Sequence, residues 1–156
     1  MPTTLSSLLA PSRIRVGLRA GDKSGLLAEL VALASTSSVV LDTDELLAAV
    51  EAREAQLSTG VGKGLAFPHA RTSAVSETLA AFATLATPID FDALDGEPVR
   101  LVMLIAGTDA DRREHVRLLS RISRVLSDEA TRRRLLAAKS PDDVLEIVAE
   151  AEAELV

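Results

Sequence analysis

LVMLIA, residues 101–106, is the longest unbroken aliphatic run in the chain. Six consecutive apolar residues have neither the spacing of an amphipathic helix nor the alternation of a half-buried strand. With Val99 ahead of them they predict a central strand covered on both faces. Such a strand needs neighbouring strands beside it and helices above and below. Residues 78–86 read as a second strand, and residues 88–96 as a turn with a short extended piece. Residues 111–126 read as a strong helix with Leu118, Leu119, Ile122, Val125 and Leu126 on its core stripe. Ser127 or Asp128 breaks that pattern before a helix over residues 130–138. Ser140, Pro141 and Asp143 then supply a cap, a first-position proline and a first-turn acid for the last helix.

Towards the N-terminus, residues 5–9 suit one helical turn stopped by Pro11, and Ile14 and Val16 alternate with arginines as in a half-buried strand. Asp22 is placed to cap a helix reaching about residue 35, with Leu26, Leu27, Leu30 and Leu33 at helical spacing. Asp42 and Glu45 stand in capping-box register before Leu46, Leu47 and Val50. This second helix ends at Arg53 and Glu54, which puts the arginine beside the segment that follows. No repeat or low-complexity stretch interrupts residues 1–156, so the expectation is one α/β domain, a sheet covered by helices on both faces.

The composition removes several classes of function. There are no cysteines, so disulfides and thiolate metal sites are excluded. A net charge of −6 and only three aromatic residues, all phenylalanine, argue against a nucleic-acid partner. No apolar run approaches the ~20 residues of a membrane helix, and the N-terminus lacks a basic leader, so the expected setting is the cytoplasm without membrane insertion. Fourteen of the 17 basic residues are arginine. Four of them, Arg113, Arg117, Arg121 and Arg124, form a stripe along the 111–126 helix. The plain reading of that stripe is a solvated face with partial pairing to acids, and the sharper one is a dock for an acidic surface.

The segment REAQLSTGVGKGLAFPHA, residues 53–70, carries the chemistry. Gly60, Gly62 and Gly64 let the backbone turn sharply or approach a ligand closely. Pro68 fixes its own φ and biases Phe67 to an extended conformation, which aims His69 at the end of a short strand. An imidazole held this way can act as a base, a metal ligand or a nucleophile. A P-loop is ruled out because Leu57 replaces its first glycine and Gly64 its magnesium-binding hydroxyl residue. The dinucleotide pattern fails at Phe67. No acidic residue completes a metal site with His69 and His115, and no nucleophile elbow is present. His115 lies near the start of a helix on the side of Leu118 and Leu119. A core-edge histidine is the bland reading, and a neutral donor beside an anion is the alternative.

LSSLLAP near the N-terminus, STGVGKGLAFPHA, TPIDFDALDGEPVRLVMLIAG and EHVRLLSRISRVL resemble, in this order, the enzyme IIA domains of the fructose/mannitol/nitrogen class of the bacterial phosphoenolpyruvate-dependent sugar phosphotransferase system. The resemblance covers nearly the whole chain and is most specific in the central motif. It implies a mixed central sheet sandwiched between helices, the mannitol-type enzyme IIA fold. It also implies a phosphoryl-accepting histidine at His69, a supporting histidine at His115 and an arginine at Arg53, with Ser58, Thr59, Gly60 and Gly62 lining the phosphate pocket and no cofactor or metal. Phe67 stands where an aliphatic residue is commoner, and Gly107-Thr108 lacks a frequent proline. The implied partners are an HPr- or NPr-like histidine phosphocarrier and either an enzyme IIB or regulated target proteins. The lack of fused IIB and membrane domains, with LSSLLAP, favours the nitrogen-type regulatory IIA over a sugar-transport IIA. A non-catalytic relative of anion-transporter cytoplasmic domains is more remote, because His69 is retained.

Overall fold

The structure, a computed structural model, describes residues 4–110 and 112–155. Its centre is β6, Val99–Gly107, which contains the LVMLIA run. Side chains alternate across it. Val102, Leu104 and Ala106 join a cluster with α2 (Lys23–Ala34) and α3 (Thr43–Gln56). Leu101, Met103 and Ile105 join another with α1 (Leu5–Leu8), α4 (Arg112–Leu126), α5 (Glu129–Ala137) and α6 (Pro141–Ala153). Both faces of the strand are therefore apolar because each lies against its own helix layer. At roughly 25 cal/mol per Å² of apolar surface, these two layers are the main favourable term holding the sheet in place.

The sheet order is β1-β5-β6-β3-β2, with β4 also on β6. The strands are β1 (Ile14–Leu18), β2 (Gly60–Gly62), β3 (Leu65–Ala66), β4 (His69–Arg71) and β5 (Leu79–Ile89). β5 and β6 run antiparallel, whereas β3 and β4 run parallel to β6, so the sheet is mixed. The helix starts follow the sequence. The carboxylates of Asp22, Asp42 and Asp128 and the hydroxyl of Ser140 each accept an amide of the first turn. The start expected at residue 111 lies outside the described residues, and α4 is described from Arg112.

Two local expectations change. Residues 88–89, read as the start of a turn with a short extended piece, instead extend β5, which runs through Pro88 to Ile89 beyond a register shift after Thr84. The registered pairing with β1 ends at Leu85, so the missing N–H of Pro88 breaks no ladder. The strand expected to end at His69 instead begins there, after an interruption at Phe67 and Pro68. β3 and β4 keep one register against β6: Leu65 lies opposite Leu101, and His69 opposite Ile105, four residues further along each strand. Pro68 cannot donate to the ladder, but its carbonyl accepts from Ile105 N–H at 3.0 Å, which keeps the two halves in line.

Candidate functional site

Arg53 and Glu54 are adjacent in the last turns of α3, so their side chains point in different directions. Arg53 turns towards a cleft between α3 and α4, with Nη1 donating to the Leu57 carbonyl at 2.9 Å. Glu54 turns inward and is buried. Its Oε1 accepts from Thr59 N–H at 2.9 Å and its Oε2 from the Thr59 hydroxyl at 2.6 Å.

The glycine segment forms a hairpin of β2 and β3. Its turn, Gly62-Lys63-Gly64, has φ values of 99°, 58° and 77°, a left-handed run that glycine makes accessible. Lys63 N–H donates to Asp95 Oδ2 at 2.9 Å, and Gly60 N–H to the Ser58 hydroxyl at 3.0 Å. Ser58 in turn donates to the Phe91 carbonyl at 2.6 Å. A Cβ on Gly60 would stand 2.9 Å from Ala93 Cβ, so this glycine is required by the neighbouring 92–96 turn.

His69 opens β4, half-buried, and shares the α4 side of the sheet with its partner Ile105. Its Nδ1 lies 2.9 Å from the Phe67 carbonyl oxygen. A carbonyl only accepts, so Nδ1 carries the proton and Nε2 keeps its lone pair. His115, in the first turn of α4, is 7% exposed, and its ring centroid is 5.3 Å from that of His69 at a tilt of 52°. Among the described residues its Nδ1 is the buried side-chain polar atom without a hydrogen-bond partner. The ring packs against β6 at Gly107, where an added Cβ would meet Nδ1 at 2.9 Å.

Both imidazoles are held neutral at pH 7. Burial pushes His69 below the ordinary 6.5, and the Arg53 charge adds to this, opposed by the Phe67 hydrogen bond and the Glu54 charge. His115 is lowered to about 4 by burial first, then by repulsion from His69 once that ring is itself protonated, and by the Arg71 charge. The cleft holds about 630 Å³, and Arg53, His69, Arg71, Arg112 and His115 are among its lining residues. Two neutral rings and three guanidinium groups suit a compact, multiply charged anion.

His69, His115 and Arg53 thus meet, as the sequence leads one to expect. Ser58, Thr59, Gly60 and Gly62 do not line this cleft. The polar groups of Ser58, Thr59 and Gly60 are turned to Phe91, Glu54 and one another, and the glycines serve the hairpin. The amides of Thr59, Gly60, Lys63 and Phe67 are likewise taken by protein acceptors. Arg71 and Arg112 were missed. Strand alternation puts Arg71 on the face of His69, and helix spacing puts Arg112 beside His115, so the signal was present. In the arginine stripe, Arg121 pairs with Glu152 at 2.9 Å, whereas Arg113, Arg117 and Arg124 are exposed and off the cleft.

Among the described residues no group of three or more His, Asp or Glu side chains is arranged to hold a metal ion. No described helix is long and apolar enough to cross a membrane.

Residues 7–151 match the family model of the phosphoenolpyruvate-dependent sugar phosphotransferase system, EIIA 2. The fructose-specific EIIA component of Haloferax volcanii is 41% identical over 128 residues, which is 82% of this chain and 83% of that protein. The nitrogen regulatory protein of Pseudomonas aeruginosa is 33% identical over 95% of this chain and 96% of its own length. The fructose-specific EIIABC component of Bacillus subtilis is 33% identical over 92% of the chain, but the match spans only 23% of that longer protein. Among solved structures, the nitrogen regulatory protein IIA-Ntr of Neisseria meningitidis superposes with a TM-score of 0.85 at 31% identity, covering 92% of this chain and 97% of that one.

Proposed function

Because the chain belongs to the EIIA 2 family of the phosphoenolpyruvate-dependent sugar phosphotransferase system, we propose that it carries a phosphoryl group on Nε2 of His69. The observation that carries this reading is the Nδ1–H hydrogen bond to the Phe67 carbonyl, which leaves Nε2 bare beside the arginine-lined cleft. The donor is an HPr- or NPr-like histidine phosphocarrier, a phosphorylated imidazolium whose second ring nitrogen is protonated. The Nε2 lone pair forms the new N–P bond in line as the donor's N–P bond breaks, and that bonding pair returns to the donor ring. His69 becomes a phosphoimidazolium that keeps its Nδ1 proton, and the donor leaves as neutral imidazole, so no proton has to move.

The protein's remaining task is to stabilise charge on the three phosphoryl oxygens. Arg53 supplies a fixed cation from the end of α3. His115, with Nδ1 packed against Gly107, carries its proton on Nε2 and donates it as a neutral hydrogen bond. A cationic ring there would bind the phosphoryl group more tightly and slow its onward transfer.

The nitrogen-type regulatory role is favoured by end-to-end similarity to the Pseudomonas protein and by the Neisseria structure. Its phosphorylation state would then select which target proteins it binds. Transport is the second reading, favoured by the 41% identity to a fructose-specific EIIA component, with a fructose- or mannitol-type IIB as acceptor.

The test is to mix the protein with labelled phosphocarrier. Wild type takes the label, His69→Ala takes none, and His115→Ala takes it roughly 10²-fold more slowly, the usual effect of losing one charge-stabilising donor. Full labelling of His69→Ala would defeat the assignment. Label then passing rapidly to a IIB selects transport, whereas retained label with state-dependent target binding selects regulation.

A further inference from the structure

Glu54 is a buried carboxylate that does not line the cleft and has no part in the transfer described above. Its side chain, 4% exposed, takes three hydrogen-bond donors: Thr59 N–H at 2.9 Å, the Thr59 hydroxyl at 2.6 Å and Lys23 Nζ at 2.8 Å. Lys23 comes from the first turn of α2 and also reaches the Phe91 carbonyl at 3.3 Å, with its ammonium 4.5 Å from the Phe91 ring centroid. From Thr59 the bonds continue towards the active histidine. The Thr59 carbonyl accepts from Phe67 N–H at 3.0 Å, and the Phe67 carbonyl accepts from His69 Nδ1–H at 2.9 Å. Pro68 between them leaves the chain little freedom, so the direction of the Phe67 carbonyl is set by what holds the Phe67 amide.

We propose that Glu54 is a positioning residue for the phosphoryl-accepting histidine: through Thr59 and Phe67 it fixes the carbonyl that holds the Nδ1 proton and aims Nε2 into the cleft.

A purely structural ion pair would explain the burial less well. Taking a carboxylate and an ammonium out of water costs as much as their attraction returns, unless further hydrogen bonds fill the remaining lone pairs. Here those further bonds go to a single residue, by both its backbone and its side chain, and that residue is the first link to His69. Thr59 is 5% exposed, so water does not replace the carboxylate there.

The proposal rests on His69 being the acceptor, and two measurements separate its failure from the failure of that reading. The first is the ring ¹⁵N spectrum of His69 in the unphosphorylated protein, which reports the tautomer without any transfer. The second is the rate of phosphorylation at saturating phosphocarrier. Glu54→Met in a Lys23→Met background removes all three bonds at similar volume and leaves no unpaired, partly covered ammonium. Its expected result is a mixed His69 tautomer and a rate at least about tenfold lower, with half-saturation unchanged, as for a misaimed nucleophile. Glu54→Gln retains an oxygen for Thr59 N–H and an amide that donates to the Thr59 hydroxyl, so it should return the rate to within about threefold of wild type. A lost charge alone would not be restored by glutamine. If the double variant does not fold, Thr59→Val and its conservative counterpart Thr59→Ser replace it. Valine removes only the hydroxyl bond to Glu54, so a smaller slowing with a shifted tautomer is expected, restored by serine, and a valine variant with wild-type rate and tautomer would overturn the proposal. A folded double variant with wild-type rate, a slow one with an unchanged tautomer, a loss confined to half-saturation, or a glutamine variant as slow as the methionine one would each overturn the proposal. Absence of phosphate on wild-type His69 would instead sink the underlying reading.

Discussion

His69 and His115 differ in what surrounds them more than in what they are. One ring has its Nδ1 satisfied by a carbonyl, and the other has its Nδ1 buried against Gly107. The pH behaviour follows from the direction of their shifts. Both bind protons less readily folded than unfolded, so neither affects stability well above 6.5, and both destabilise the fold as pH falls below it. For His115 the loss levels off below about 4, with a limit of about 3 kcal/mol. Urea unfolding at pH 7 and pH 5 is therefore expected to show a smaller acid loss for His115→Leu than for wild type. The acid limb of the phosphorylation rate is expected below 6.5, since His69 stays neutral beyond the ordinary imidazole value. Gly107→Ala should push the His115 ring off its place and slow transfer, at a stability cost of roughly 1–3 kcal/mol. At this scale the sequence revealed the two histidines because there are so few of them. It did not reveal Glu54, which reads as a surface residue at a helix end until Lys23 and Thr59 are brought over it. The glycine spacing was legible, but its cause was not, since Ala93 and Asp95 lie about thirty residues away.

Among the elements, the LVMLIA strand was the most readable because its pattern depends only on having a helix layer on each side. The break between β3 and β4 was less so. A proline announces a missing donor, yet only the register on β6 shows that the strand resumes in line. The attachment of α1 had no local signal at all. Glu152 of α6 accepts from Leu5 N–H at 2.6 Å and Ser6 N–H at 2.9 Å, and pairs with Arg121 of α4 at 2.9 Å. A carboxylate capping the amides of a first helical turn, across nearly the full length of the chain, is set by tertiary packing alone. Glu152→Ala should leave those amides and a partly covered guanidinium unpaired. The expected loss is about 2–3 kcal/mol in chemical denaturation, with α1 amides exchanging first.

At the scale of the whole molecule, an acidic chain of net charge −6 gathers Arg53, Arg71 and Arg112 around one cleft. On the proposed function, a local positive field in a negative molecule would draw an anionic phosphorylated partner to this mouth. The phosphorylation rate at low carrier concentration is therefore expected to fall with added salt. Arg71→Ala and Arg112→Ala should each flatten that dependence, as read from initial rates across an ionic-strength series. The fold contributes by bringing α3, β4 and α4 together, so that a strand histidine, a helix-end arginine and a histidine from a distant helix share one space. The central claim is that this space makes Nε2 of His69 the phosphoryl acceptor. The most direct test is the one-bond ³¹P–¹⁵N coupling in ¹⁵N-histidine-labelled protein after phosphorylation by the carrier. The expected result is a single N–P bond to Nε2 of His69; a bond to its Nδ1, or to either nitrogen of His115, would contradict it.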